Sequence, residues 1–350
     1  MRRLRPSRPE VLLVHRRHDE TLGVAGLEHR VLERRREPGR ITFGAQVHDQ
    51  LAARQLAVQG VRQLGDLLVT HLVQHGEVAV AAGRLTLVPV TNALAYANKR
   101  RAGDRNLNRK LQPTPTPREH EDHVANWLCP LLAAHDVLLD LHSFRSPGVP
   151  FVFLGPLDND GAIEPFAKAA REEAIALRLG VDRAVDGWLS TYAAGSERRR
   201  ALAASMPEAK LDVDPAYGIG TTEYMRSVGG CAVTLECGRH DDPEAPEVAH
   251  RAIVNTLAHL GISGAADPAP AAAMETLSLV EVIDKTADDD AFAKPWSSFD
   301  PVAAGERIGT RADGAPVVAP FAGRIVFPNP AAETGQEWFY LARASERLHR

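Results

Sequence analysis

Three short stretches of this chain carry residue types that do chemistry. The first is Asp140-Leu-His142-Ser143, which closes the apolar run beginning at Asp136. A histidine at the carboxyl end of a buried strand can offer a neutral imidazole nitrogen to a metal, because side chains there enter the crevice without interrupting the packing. Asp140, two residues back, shares that strand face and is placed to orient a ring as a hydrogen-bond acceptor. The second stretch is Thr234-Leu-Glu236-Cys-Gly238, again at the end of an apolar run. Burying an acid costs free energy unless it has a partner or a task. A raised pKa suits a general base that activates water. The third is Arg101-Ala-Gly-Asp-Arg-Asn106-Leu-Asn108-Arg109. Its arginines and asparagines can hold a carboxylate by forked hydrogen bonds and polarise a carbonyl. Each stretch also has a plainer reading: a histidine satisfied by hydrogen bonds, an acid paired with arginine, a solvated loop.

The elements that must position these residues are legible from about residue 83 onward. Arg84–Val90, Asp136–His142 and Gly230–Glu236 read as strands, the last two buried on both faces. Ala125–Ala134, Ile163–Leu179 and Pro246–Leu260 read as helices. Buried strands alternating with helices predict an α/β domain whose sheet is largely parallel and flanked by helices. Gly264–Ala273 is a low-complexity linker. Beyond it come short strand-like runs at Leu277–Ile283, Val317–Val318, Arg324–Phe327 and Trp338–Leu341, which predict a small all-β domain. The boundaries are a divergent N-terminal part over 1–82, a catalytic α/β domain over 83–262, a linker over 263–274 and the β domain over 275–350.

The 350 residues, 44% hydrophobic and 25% charged, exclude a wholly disordered chain and a fibre. No apolar run approaches the ~18 residues of a membrane span, and no secretory signal is evident. Three widely spaced cysteines, Cys129, Cys231 and Cys237, fit a reducing cytoplasm better than a disulfide framework. With a net charge of −4 the whole chain offers nucleic acid no electrostatic support. Residues 1–40 are locally basic, with eleven arginines against six acids, and are read as a solvated terminus.

Taken together, the three stretches resemble the succinylglutamate desuccinylase/aspartoacylase family of zinc amidohydrolases, relatives of the zinc carboxypeptidases. The resemblance covers about residues 83–342. It implies that His142 is the third zinc ligand and Glu236 the general base. It also implies that Arg101, the Asn108–Arg109 pair and Arg226, ten residues before Glu236, bind the substrate. The β domain, with Ala319-Pro-Phe-Ala-Gly323, looks like the family's C-terminal domain. Two departures stand out. Asn106 replaces the family's Asp, and no His-x-x-Glu occurs anywhere in the chain, so the family's first zinc motif is missing. The nearest substitute is His48, at the end of the apolar run Ile41–Val47, with Asp49 a poor stand-in for the glutamate.

The resemblance implies a zinc-carboxypeptidase-like fold and a Zn²⁺-dependent hydrolase. Such an enzyme would cleave an N-acyl amide or ester of a small acidic substrate through metal-activated water. Neither nucleic acid nor membrane is an expected partner, and homo-oligomerisation is compatible with this reading. The alternatives are a metal-free carboxylate-binding protein or inactive paralogue, favoured by the missing motif, and a carboxypeptidase-like peptidase.

Overall fold

The computed structural model describes residues 10–15 as backbone only, and 80–88, 90–98, 100–203 and 213–348. The α/β part runs β1 (Glu10–His15), β2 (Arg84–Val88), α1 (Ala93–Ala97), α2 (His120–Ala133), β3 (Val137–Phe144), β4 (Phe151–Phe153), α3 (Ala169–Ala176), β5 (Arg183–Asp186), α4 (Trp188–Ala203), α5 (Thr221–Ser227), β6 (Cys231–Arg239) and α6 (Ala245–His259). The remainder is β7 (Glu275–Asp284), β8 (Ala291–Phe292), β9 (Pro301–Val302), β10 (Arg307–Thr310), β11 (Pro316–Val318), β12 (Gly323–Val326) and β13 (Glu337–Ala344). No described helix is long and apolar enough to cross a membrane.

Ten of these strands form one sheet in the order β2-β1-β3-β6-β4-β5-β7-β13-β12-β9. Strands β2, β1, β3 and β6 are mutually parallel, whereas β4 enters antiparallel to β6. Side chains alternate along β3, which sorts its two faces. Leu139 and Leu141 pack with α3 and α6, through Ile175, Val248 and Ile253. Leu138 packs with α2 and α5, through Leu128, Leu132 and Met225. Asp140 and His142 have the parity of Leu138, and Glu236 that of Ala232, which lies in the same cluster. The two chemistry-bearing strand ends therefore open on one face of the sheet.

The small C-terminal β part is present with a sheet of its own, and several of its strands also extend the central sheet. β7 pairs in parallel with β5 and antiparallel with β13, so the central sheet runs on into the C-terminal strands. Only β11, β10 and β8 make a second, three-stranded sheet. Phe144, Phe151 and Val185 of the α/β part share a core with Leu277, Leu279, Phe299 and Tyr340. Linker composition marks where the chain crosses the surface, but the free edge of β5 decides where the next strand docks. The expected helix over 163–179 is shorter, Ala169–Ala176, because Pro165 interrupts it and Asn159 bridges back to Phe166.

Candidate active site

β3 and β6 pair so that His142 and Glu236 are register partners at the carboxyl end of the sheet. Both are buried. His142 Nδ1 lies 3.7 Å from Glu236 Oε1, and His142 Nε2 lies 3.0 Å from Asp140 Oδ2. The fully buried Asp140 accepts a hydrogen bond from the Thr221 hydroxyl at the start of α5. His142 Nε2 and Glu236 Oε2 are buried without a well-aligned hydrogen-bond partner among the described residues. Native interiors seldom leave such atoms unmatched, and they cluster where a ligand or water binds. Burial pushes the Glu236 carboxyl above its usual range, against the pull of His142 and Arg101. An acid so perturbed beside a cationic wall is suited to carry a proton.

The loop between α1 and α2 supplies the wall. Arg109 is buried, stacked 5.1 Å over Trp188 and 5.6 Å over Tyr192 of α4, with Nη1 donating to Asn108 O. Its Nη2 lies 3.4 Å from Glu337 Oε1. Burial alone would lower the Arg109 pKa; Glu337 reverses that and holds it above the ordinary value. Arg101 keeps solvent-exposed surface, yet protein groups crowd its guanidinium. That crowding, with Arg109 beside it, brings its pKa down to about 10. Against its own burial, Arg109 and Arg199 keep Glu337 ionised below the usual glutamate range. Arg199 itself is gripped by Asp284 at 2.6 and 2.8 Å. The Tyr340 hydroxyl is buried with no hydrogen-bond partner among the described residues.

Four expected residues, His142, Glu236, Arg101 and Arg109, thus lie around the same strand ends. Asn108 borders them in a structural role: its Oδ1 accepts the Thr221 N–H at 3.0 Å, and Gly220 packs so closely that a Cβ there would sit 2.0 Å from that oxygen. Arg226 is a correction. Its Nη2 donates to Ala232 O near the start of β6, while Nε and Nη1 bind Glu172 and Glu164 at 2.8 Å each. It therefore sits at the opposite end of β6 from Glu236, its donors already engaged by carboxylates and a carbonyl. Ten residues of spacing cannot say at which end of a strand a preceding helix leaves its side chain. His48 lies outside the described residues.

Glu337 and Tyr340 went unnoticed in the sequence, because nothing local says that β13 reaches the site. The pairing of β13 with β7 shifts register between Glu337 and Phe339. Such a bulge breaks the two-residue alternation and lets positions three apart serve the same face.

Residues 64–152 match the family model of the succinylglutamate desuccinylase/aspartoacylase catalytic domain. Over that segment the chain is similar to the succinylglutamate desuccinylase/aspartoacylase family. Members are amidohydrolases. No protein of curated function matches the sequence. Among solved structures, a succinylglutamate desuccinylase/aspartoacylase from Rhodobacter sphaeroides is 18% identical with a TM-score of 0.61, covering 97% of this chain and 87% of that one. The product-bound ectoine utilization protein from Ruegeria pomeroyi is 17% identical with a TM-score of 0.60, covering 96% and 86%. An aspartoacylase family protein from Mesorhizobium loti is 16% identical with a TM-score of 0.55, covering 97% and 87%. At these identities the likeness shows the fold.

The family is generally zinc-dependent, and among the described residues His142 and Glu236 carry donor atoms of the kind zinc takes. His142 Nδ1, with Nε2 turned towards Asp140, is arranged as a metal-bound imidazole braced by a carboxylate would be. Glu236 Oε1 lies 3.7 Å from that Nδ1. Among the described residues, no group of three His, Cys, Asp or Glu converges to hold an ion. A catalytic zinc normally takes three protein ligands and keeps one position open. The described set does not complete one.

Proposed function

We propose that this chain is a hydrolase of the desuccinylase/aspartoacylase type, cleaving an N-acyl amide, or a related ester, of a small acidic molecule. The observation that carries the reading is the register pairing of the buried His142 and Glu236, with Arg101 near enough to act on the Glu236 carboxyl. In this reading the substrate's carboxylate docks against Arg109 and Arg101. The planar fork of Arg109, stiffened by Trp188 and Tyr192, sets its orientation. The same cationic wall stabilises negative charge growing on the scissile carbonyl. Glu236 takes a proton from the attacking water and returns it to the leaving nitrogen, as its raised pKa suits. The Tyr340 hydroxyl is free to donate a hydrogen bond to the substrate.

Zn²⁺ belongs to the proposal as cofactor: it would supply Lewis-acid activation, with His142 as one ligand and His48, outside the described residues, as another. Cys129, Cys231 and Cys237 are buried and form no disulfide among the described residues, which fits a cytoplasmic location. A second reading, a metal-free carboxylate-binding protein, is favoured by the incomplete donor set among the described residues. One experiment separates them. The purified protein is analysed for metal, then incubated with N-acetyl-aspartate and N-succinyl-glutamate while free amine is followed. Stoichiometric zinc and amine release that is lost in Glu236→Gln support the hydrolase. Metal-free protein that binds succinate but releases no amine supports the binding protein.

A further inference from the structure

Both arginines of the wall sit on a segment, residues 100–111, that contains no helix or strand. Its apolar anchors, Leu107 and Leu111, are buried in the α2 cluster, but both lie on the far side of Arg105 from Arg101. The three successive backbone amides of residues 103–105 are all held by one side chain. Glu121, second residue of α2, has 0% exposure. Its Oε1 accepts from the Gly103 amide at 2.8 Å and from Asn92 Nδ2 at 2.6 Å. Its Oε2 accepts from the amides of Asp104 at 3.2 Å and Arg105 at 3.1 Å. A carboxylate is an acceptor only, with about four lone-pair sites. Here four donors meet them.

The grip extends to both arginines. Arg105, whose amide Glu121 holds, sends Nη1 to the carbonyl of Arg109 at 2.7 Å and Nη2 to Asp122 at 2.9 Å. Asp104 Oδ2 accepts the His120 amide at 2.8 Å, tying the loop back to the start of the same helix. On the other side Gly103 lies two residues from Arg101. The loop rests so closely on the carboxylate that a Cβ at Gly103 would sit 2.7 Å from Glu121 Oε1. Asn92, the fourth donor, also caps α1 by accepting from the Ala95 amide. We infer that Glu121 is a positioning residue: its buried carboxylate fixes the 103–105 turn and thereby sets where the Arg101 and Arg109 guanidiniums stand in the pocket. The inference rests on Arg109 being the carboxylate subsite.

Glu121→Gln is nearly isosteric but places an NH₂ group against amide donors, so two of the four bonds are lost and donors oppose each other. Gly103→Ala displaces the same turn while leaving the carboxylate untouched. Wild type, Glu121→Gln, Gly103→Ala, Arg109→Lys and the double variant Glu121→Gln/Arg109→Lys are titrated calorimetrically with succinate, as full chains. Amide hydrogen exchange is followed in each. Glu121→Gln and Gly103→Ala are each expected to weaken succinate by about tenfold or more, the scale of one lost charge-assisted bond. The double variant is expected to bind no more than about twofold more weakly than Arg109→Lys alone, because both changes act on one contact. Exchange at residues 103–105 should accelerate while β3 and β6 stay protected. Unchanged affinity in either single variant, losses that multiply in the double variant, or an even acceleration across the sheet would overturn the inference. If wild type binds no succinate, the carboxylate-site reading fails. Hydrogen exchange then decides the positioning: acceleration confined to the loop upholds it, and no acceleration sinks it.

Discussion

At the scale of single residues, the site works by opposition of environments. Glu236 is buried and holds its proton more tightly than an ordinary glutamate, while Glu337 across the pocket is kept ionised by Arg109 and Arg199. Pairs of carboxyls driven apart in this way mark distinct acid–base roles. If Glu236 is the base, Glu236→Gln should lower turnover by about 10²- to 10⁴-fold, the usual worth of a positioned proton carrier, with little change in succinate affinity. The acid limb of the wild-type pH–rate profile should lie above the ordinary glutamate range, since Glu236 must lose its proton to accept one. A limb inside that range would assign the role elsewhere. Arg109→Lys keeps the charge but loses the planar fork that stacks on Trp188 and Tyr192. It should cost about 1–3 kcal/mol of succinate binding, read by calorimetry. Equal affinity would make Arg109 a structural partner of Glu337.

Among the elements, the junction of α5 with the start of β6 carries a buried charge cluster remote from the chemistry. Arg226 holds Glu172 and Glu164, with Glu223 3.6 Å from Nη1. Three carboxyls around one guanidinium leave an excess of negative charge. Burial, followed by the repulsion of Glu223 and Glu172, outweighs Arg226 and raises Glu164 to about 7. The folded chain thus keeps a proton on Glu164 that the unfolded chain releases near 4.5. Stability is full below that value and falls as pH rises towards 7. Glu164→Gln, a mimic of the protonated form, should flatten this slope and at pH 8 unfold in urea with on the order of 1–3 kcal/mol more stability than wild type. Parallel pH profiles for the two proteins would remove Glu164 from the account. Arg226→Lys should cost about 3 kcal/mol of stability, because it leaves buried carboxyls short of donors, while succinate affinity stays unchanged. A loss of affinity instead would return Arg226 to the substrate.

For the whole molecule, the continuous sheet makes the C-terminal strands part of the catalytic body. β7 covers the edge of β5, and Glu337 and Tyr340 reach the pocket from β13. A chain ending at residue 262 would bare the edge of β5 and strip Phe144, Phe151 and Val185 of their partners Leu277, Leu279 and Phe299. Exposed strand edges beside bared aromatic surface drive aggregation. The truncated chain should therefore be aggregated or lack a cooperative thermal transition, as gel filtration and calorimetry would show. A soluble, cooperatively melting fragment would restore the two-domain organisation that the linker suggested.

The strand ends bearing His142 and Glu236 were legible in the sequence because each closes a predominantly apolar run, and a charged or titratable group there has few structural excuses. The loop with Arg101 and Arg109 was legible from its dense pattern of donors. Local pattern also placed α2, α6 and most of the C-terminal strands to within a few residues. It shortened no helix at Pro165 and did not announce α4, whose Trp188 and Tyr192 stack on Arg109. Partners across the sheet were out of reach altogether. Which face β6 shares with β3, at which end Arg226 stands, and that a bulge turns Glu337 and Tyr340 to the same pocket depend on pairing register between distant strands. Register is set by packing and hydrogen bonding across the sheet, so only the tertiary structure could decide it.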